Sequence, residues 1–350
     1  MTKIKLGFYP YTYVRTNVMR SKLLKKEDYH KLMKMGIGEI TRYLGESDYK
    51  KEIDELAATY SGSDFMEIAL NKNLVSSFLK LKRISPDELN VLISAYLKRN
   101  DIWNIKTILR AKYAGEDEET VKRMLVAVGE LDEEFLLNMF KKETIEDILR
   151  NIPFFQFKKI KPFFEKFKEK NILVDIENAL DKYYYKYLMD FTETLPEQGG
   201  LFKGFLESEV EVLNILMIIR LKKEGVNNED IKNYLILTED KIKDNGFLRL
   251  LNIEGIEAMP EKIQNRELAK VLETSIKKYK ETKTLTHVES ALYKYFLKKS
   301  ILLLHQHPLS LDVILGYMFA KEIEVKNLKT LVKGKQLGMS EEFIEQRLVI

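Results

Sequence analysis

The 350-residue chain is 45% hydrophobic and 32% charged, so it is globular rather than disordered and is long enough to bury one or more cores across two or three domains. Its 58 basic and 54 acidic residues leave a net charge of +4, which argues against a dedicated nucleic-acid surface. The absence of cysteine excludes disulfides, thiolate metal sites and cysteine nucleophiles.

With only 7 prolines and 16 glycines among abundant Leu, Ile, Lys and Glu, the chain is expected to be all-α. The start, MTKIKLGFYPYTY, lacks the apolar stretch of a secretory signal. No apolar run reaches the ~20 residues that cross a bilayer. The longest candidate, LNILMIIR, is interrupted by Asn214 and closed by Arg220. These features predict a soluble chain without a transmembrane segment, able to sit beside a membrane by holding a membrane protein.

In chain order, the first patterned piece is Ile40, Leu44 and Tyr49, echoed at the same spacing by Ile145, Leu149 and Phe154. Next comes Glu-x-Ala-Leu-x-Lys, from Glu67 to Lys72. It returns from Glu177 to Lys182 and from Glu289 to Lys294. A helix is predicted to start at Ser85-Pro86, since proline suits a helical first turn.

That helix carries a motif written three times: an acidic residue, Asn three later, a basic residue six after that, Gly five further on, and Leu ten beyond. The copies are Asp101, Asn104, Arg110, Gly115, Leu125; Glu211, Asn214, Arg220, Gly225, Leu235; and Glu324, Asn327, Lys333, Gly338, Leu348. From the Glu of the first signature to the motif Asn is 37, 37 and 38 positions, so two signatures keep register through three copies. The natural units are therefore 1–126, 127–236 and 237–350.

Ile105, Ile108 and Leu109 recur at helical spacing, as do Ile215, Ile218 and Ile219, and Leu328, Leu331 and Val332. Each motif glycine suits a left-handed C-cap. A capped second helix is expected to follow, with Ser340 as the N-cap in the third copy. The repeated Asn and Arg or Lys are read as a hydrogen-bonding device that ties the motif helix to the Glu-x-Ala-Leu helix.

Catalytic patterns are missing. Gly334-Lys335 lacks the glycines of a Walker loop, MGIGEI lacks the third glycine of a dinucleotide fingerprint, and no Gly-x-Ser-x-Gly occurs. His305-Gln306-His307 is the one metal-like spacing, but residues two apart do not share a helix face, and Pro308 and Ser310 mark a helix end. No metal and no cofactor is expected. The basic-aromatic run from Pro153 to Lys170 reads as a helix burying Phe163, Phe164 and Phe167, with single-stranded nucleic acid or a membrane surface as the alternatives. Tyr183 to Tyr187 read as packing residues.

Three blocks carry a resemblance: YPYTYVRTNVMRSKLL at the start, IENALDKYYYKYL in the middle and AKEIEVKNLKTLVKGKQLGMSEEFIEQRLV at the end. Together they resemble the C subunits of archaeal and bacterial A-type (V/A-type) ATP synthases, relatives of the d subunit of eukaryotic V-type ATPases. The resemblance implies three similar helical domains about a pseudo-threefold axis, forming a funnel or socket. It implies a non-catalytic rotor component on the cytoplasmic side of the membrane. Its partners would be the D and F subunits of the central stalk, the membrane proteolipid ring (the K subunits) and other ATP synthase subunits, with no nucleic acid. The competing class is a generic helical-repeat adaptor with its units in an open array.

Overall fold

The computed structural model describes residues 9–57, 60, 62–195, 199–236, 246–306 and 311–350. Among these, every extended regular element is a helix, so the protein is all-α. The chain packs as two compact units, one of residues 1–40 and 192–350 and the other of residues 41–191. These are divisions by packing, whereas the three copies are divisions by sequence register.

The 41–191 unit contains α4 (Lys50–Leu56), α5 (Gly62–Arg83), α6 (Asp87–Ala114), α7 (Glu118–Met124), α8 (Glu133–Phe140), α9 (Ile145–Arg150), α10 (Phe157–Lys170) and most of α11 (Val174–Thr192). Its axis is the 28-residue α6, buried over much of its surface, with Leu89, Leu92, Ile93, Tyr96, Leu97, Ile105, Ile108 and Leu109 inside together with the polar Asp101 and Asn104. A helix of that kind must be covered on most of its sides. Helices α7, α8 and α9 pack on α6, and α4 and α7 pack on α5. Pro86 takes the N-cap position of α6, while the Ser85 hydroxyl donates back to the Leu81 carbonyl at 2.8 Å, closing the preceding helix.

The other unit contains α1 (Pro10–Ser21) and α2 (Lys26–Met33), then α12 (Gly199–Lys223), α13 (Asn228–Tyr234), α14 (Phe247–Leu251), a 3-10 turn (Ile256–Ala258) and α15 (Met259–Lys262). It continues with α16 (Arg266–Thr282), α17 (Thr286–Gln306), α18 (Leu311–Gln336) and α19 (Glu341–Glu345). Helix α3 (Ile37–Leu44) spans residues assigned to both units. Helix α18 packs against α17, α12 and α1, and α2 packs against α19. An aromatic cluster of Phe205, Phe296 and Phe319, with centroids 4.5–6.4 Å apart, joins α12, α17 and α18. Each ring is edge-on or tilted to its neighbours, as ring quadrupoles favour.

All nine residues of the three motif stripes are buried, from Ile105 in α6 to Val332 in α18. In α10, Ile160 and Phe164 are buried, while Phe163 and Phe167 are only half-buried. Tyr184 is buried and donates to the Tyr96 carbonyl at 3.0 Å, and Tyr183 donates to the carbonyl of Phe154. His307, Pro308 and Ser310 lie outside the described residues.

Candidate functional site

The repeated motif ends its helix the same way three times. Gly115, Gly225 and Gly338 have φ of +73°, +74° and +65°, the left-handed region where a Cβ is costly. The residue after each closes a wider ring: Glu116 donates to Ala111, Val226 to Leu221 and Met339 to Gly334, at 2.9–3.0 Å. This is a Schellman cap, which satisfies carbonyls that the helix end would orphan. The second helix then starts at an N-cap of Asp117, Asn227 or Ser340, whose side chain accepts the backbone N–H of Thr120, Asp230 or Phe343.

Beyond that second helix the chain is extended, and its backbone groups have no helical partners. The motif asparagine supplies them. Asn104 donates from Nδ2 to the Val126 carbonyl at 2.9 Å and accepts the Val126 N–H at 2.8 Å. Asn327 treats Val349 identically, at 2.8 and 2.9 Å. Asn214 makes half of the clamp, accepting the Ile236 N–H at 2.8 Å, and its Nδ2 has no partner among the described residues. In all three the bridge spans 22 residues. The asparagine thus holds the segment that follows its own helix pair, and not the Glu-x-Ala-Leu helix as expected from sequence.

The acidic position does a related job. Asp101 is completely buried, and its carboxylate accepts the N–H of Glu130 at 2.8 Å and of Leu131 at 3.1 Å. Those residues lead into the eight-residue α8, whose N-cap is Asp132. Burial pushes the Asp101 carboxyl up to about 6, against the pull of its two backbone donors. Glu324, also buried, accepts the N–H of Leu24 at 2.5 Å and Lys321 Nζ at 2.8 Å. Leu24 in turn precedes Lys25, the N-cap of the eight-residue α2. So α2 is held to the third copy as α8 is held to the first. Glu211 is half-buried, and burial raises its carboxyl while Lys299 opposes.

The basic position joins one copy to the next. Arg110 forks onto Glu177, Nε to Oε1 at 2.6 Å and Nη2 to Oε2 at 2.5 Å. Arg220 reaches Glu289 at 2.7 Å. Each glutamate opens the Glu-x-Ala-Leu signature of the following copy. Lys106 adds a second rung to Asp181 at 2.7 Å in the first junction. Burial raises the Asp181 carboxyl and lowers the ammonium groups of Lys182 and Lys294, the signature lysines. Lys333 is exposed and Lys72 is exposed, and Glu67 is half-buried on α5.

Two participants lie outside the residues that the sequence singled out. Gly129 lies against Asp101, where a Cβ would overlap the carboxylate. Lys98 is buried at 6% exposure, 3.0 Å from Glu130 and over the rings of Phe154 and Tyr187. Gly129 does not recur in register with the motif, but Lys98 does in one other copy. It stands three before Asp101 as Lys321 stands three before Glu324, with Ser208 at that place in the second copy, so a position kept in two copies of three was the available signal.

Among the described residues, no group of three His, Asp or Glu side chains is placed to hold a metal, and no helix is long and apolar enough to cross a membrane. What the geometry defines is an all-α repeat protein whose polar residues fasten backbone segments and join consecutive copies. The chain belongs to the ATP synthase (C/AC39) subunit family, whose model matches residues 12–347. It is 38% identical over 348 residues to the A-type ATP synthase C subunit of Methanosarcina mazei, covering 98% of this chain and 93% of that protein. The C subunit of the A-type ATP synthase from Methanococcoides burtonii is 39% identical over 349 residues, covering 98% and 94%. That of Haloferax volcanii is 29% identical, covering 97% of each.

Proposed function

We propose that this chain is a non-catalytic rotor subunit of a V/A-type ATP synthase or ATPase. In this reading it seats the D and F subunits of the central stalk on the membrane proteolipid ring (the K subunits), at the cytoplasmic face. It passes torque between them, coupling ATP synthesis or hydrolysis to proton or sodium transport, and it also meets other ATP synthase subunits. The observation that carries the reading is the family match across nearly the whole chain, with relatives that are C subunits of A-type ATP synthases.

The motif geometry supports it. A torque-bearing link needs stiffness, and stiffness needs close packing with few soft hinges. The asparagine clamps tie each helix pair to the segment that follows, and the Arg–Glu pairs brace successive copies. Three such copies, disposed about a pseudo-threefold axis as units 1–126, 127–236 and 237–350, would present related surfaces to one coaxial shaft.

The test is retrieval and turnover. An affinity-tagged chain, taken from detergent-solubilised membranes of its own cells, should bring down the remaining ATP synthase subunits in fixed ratio. The purified chain alone should hydrolyse no ATP. Retrieval of none of them, or steady hydrolysis by contaminant-free protein, would remove the proposal.

A further inference from the structure

Helix α1 is inverted. Its inward face carries Thr12 and Thr16, at 2% and 0% exposure, together with Met19. Its outward face carries Tyr11, Val14 and Val18, at 64%, 57% and 52% exposure. These three stand at i, i+3 and i+7, so they form one continuous stripe on the helix surface. Arg15 and the C-cap Lys22 lie on the same face and are exposed. The buried Thr16 is accommodated locally, its hydroxyl donating to the Thr12 carbonyl at 2.7 Å. Burying threonine while exposing valine and tyrosine is the reverse of what folding alone selects. A contiguous apolar stripe held outward marks an interaction surface.

The charge around the stripe says what covers it. The first acidic residue of the chain is Glu27, and seven basic residues precede it. The remaining 324 residues carry 51 basic and 54 acidic side chains, so the net positive charge of the protein resides in this segment. Within the described part, Arg15, Arg20, Lys22, Lys25 and Lys26 lie on α1 or within five residues of its end. A short helix with aromatic and aliphatic residues on one side, in a segment whose sequence carries a net positive charge, matches an anionic lipid surface. Its apolar side chains enter the headgroup boundary, its arginine and lysine meet phosphates, and tyrosine favours that depth.

We infer that the outward face of α1, comprising Tyr11, Val14, Arg15, Val18 and Lys22, rests on the anionic phospholipid surface of the membrane. The inference deepens the rotor reading and rests on it, because that reading brings the protein to the bilayer. One helix of twelve residues binds weakly by itself. Its contribution is to fix how the protein sits once its protein contacts hold it near the membrane.

The experiment is flotation of the full-length chain with phosphatidylcholine vesicles, with and without phosphatidylglycerol, at low and high salt. The wild type should float only with phosphatidylglycerol, and less at high salt. V14D/V18D and R15E/K22E should each weaken flotation about tenfold or more, with unchanged circular dichroism and melting temperature because all four residues are exposed. A Tyr11→Trp reporter in a Trp103→Phe background should shift its emission to the blue on binding and be quenched by brominated acyl chains. Trp103 is itself exposed, so its replacement is benign. Equal flotation of the variants, or no flotation of the folded wild type, overturns the inference. Loss of binding to the detergent-solubilised ring in V14D/V18D, without any vesicle binding, reassigns the stripe to a protein partner. A chain that binds the stalk but not vesicles rejects this inference alone, and one that binds neither stalk nor ring rejects the rotor reading.

Discussion

The Glu324 carboxylate receives the backbone N–H of Leu24 at 2.5 Å across 300 residues of sequence, and Lys321 Nζ at 2.8 Å on its other oxygen. The N-terminal helices thereby become part of the third copy's packing, as α8 is part of the first. The Lys321–Glu324 pair is buried on both sides, at 2% and 4% side-chain exposure. Glu324→Ala removes a buried counter-charge and a backbone acceptor together. It should destabilise the unit of residues 1–40 and 192–350 by about 3 kcal/mol. Urea unfolding checks this, with the exposed Glu342→Ala as control, changing stability by less than ~0.5 kcal/mol.

The asparagine clamps predict a ranking. Asn104→Ala and Asn327→Ala each orphan a buried N–H and a buried carbonyl, and should cost about 2–3 kcal/mol. Asn214→Ala loses one bond, to Ile236, and should cost about 1 kcal/mol. Equal losses at all three would mean that the second bond of the clamp carries no weight.

Two glycines separate close approach from mere permissiveness. Gly129→Ala places a methyl against the Asp101 carboxylate and should destabilise by about 2 kcal/mol or more. Gly204 sits within α12, and a Cβ there meets nothing within 4 Å. Gly204→Ala should therefore stabilise, by up to about 1 kcal/mol. Thermal melts of the two variants should move in opposite directions.

Asp101 sets a pH dependence. Its carboxyl titrates near 6 when folded, above the ~4 of an unfolded chain. Between those values the folded state holds a proton that the unfolded state has lost. The stabilisation is thus full below about pH 4 and is lost as pH rises through about 6, by roughly 2–3 kcal/mol. Asp101→Asn cannot titrate, so its stability should change less between pH 4 and 7 than that of the wild type. Chemical denaturation across this range reads the difference, and parallel curves for the two proteins would contradict the assignment.

The helices, their glycine caps and the buried stripes were legible in the sequence because they follow from periodicity and from what a Cβ forbids. The three copies were legible because their residues recur in register. What the polar residues hold was not legible. Asn104 reaches a backbone segment 22 residues on, and Arg110 reaches the next copy's Glu177 rather than its own copy's Glu67. Spacing constrains a helix face, but partners across a turn or a junction are chosen by tertiary packing. Nor did the pattern show that α2 docks on the third copy, because Lys25 and Asp132 cap equivalent helices with different residues. The inversion of α1 is invisible to a hydrophobic periodicity that does not say which side is inward.

The most direct test of the rotor assignment is binding of the purified chain to a D–F stalk subcomplex and, separately, to the detergent-solubilised proteolipid ring, by interferometry at two salt concentrations. A rotor subunit should bind both saturably, with complementary surfaces left free so that a ternary complex forms. Binding to neither would contradict the assignment and leave a helical-repeat protein of another assembly.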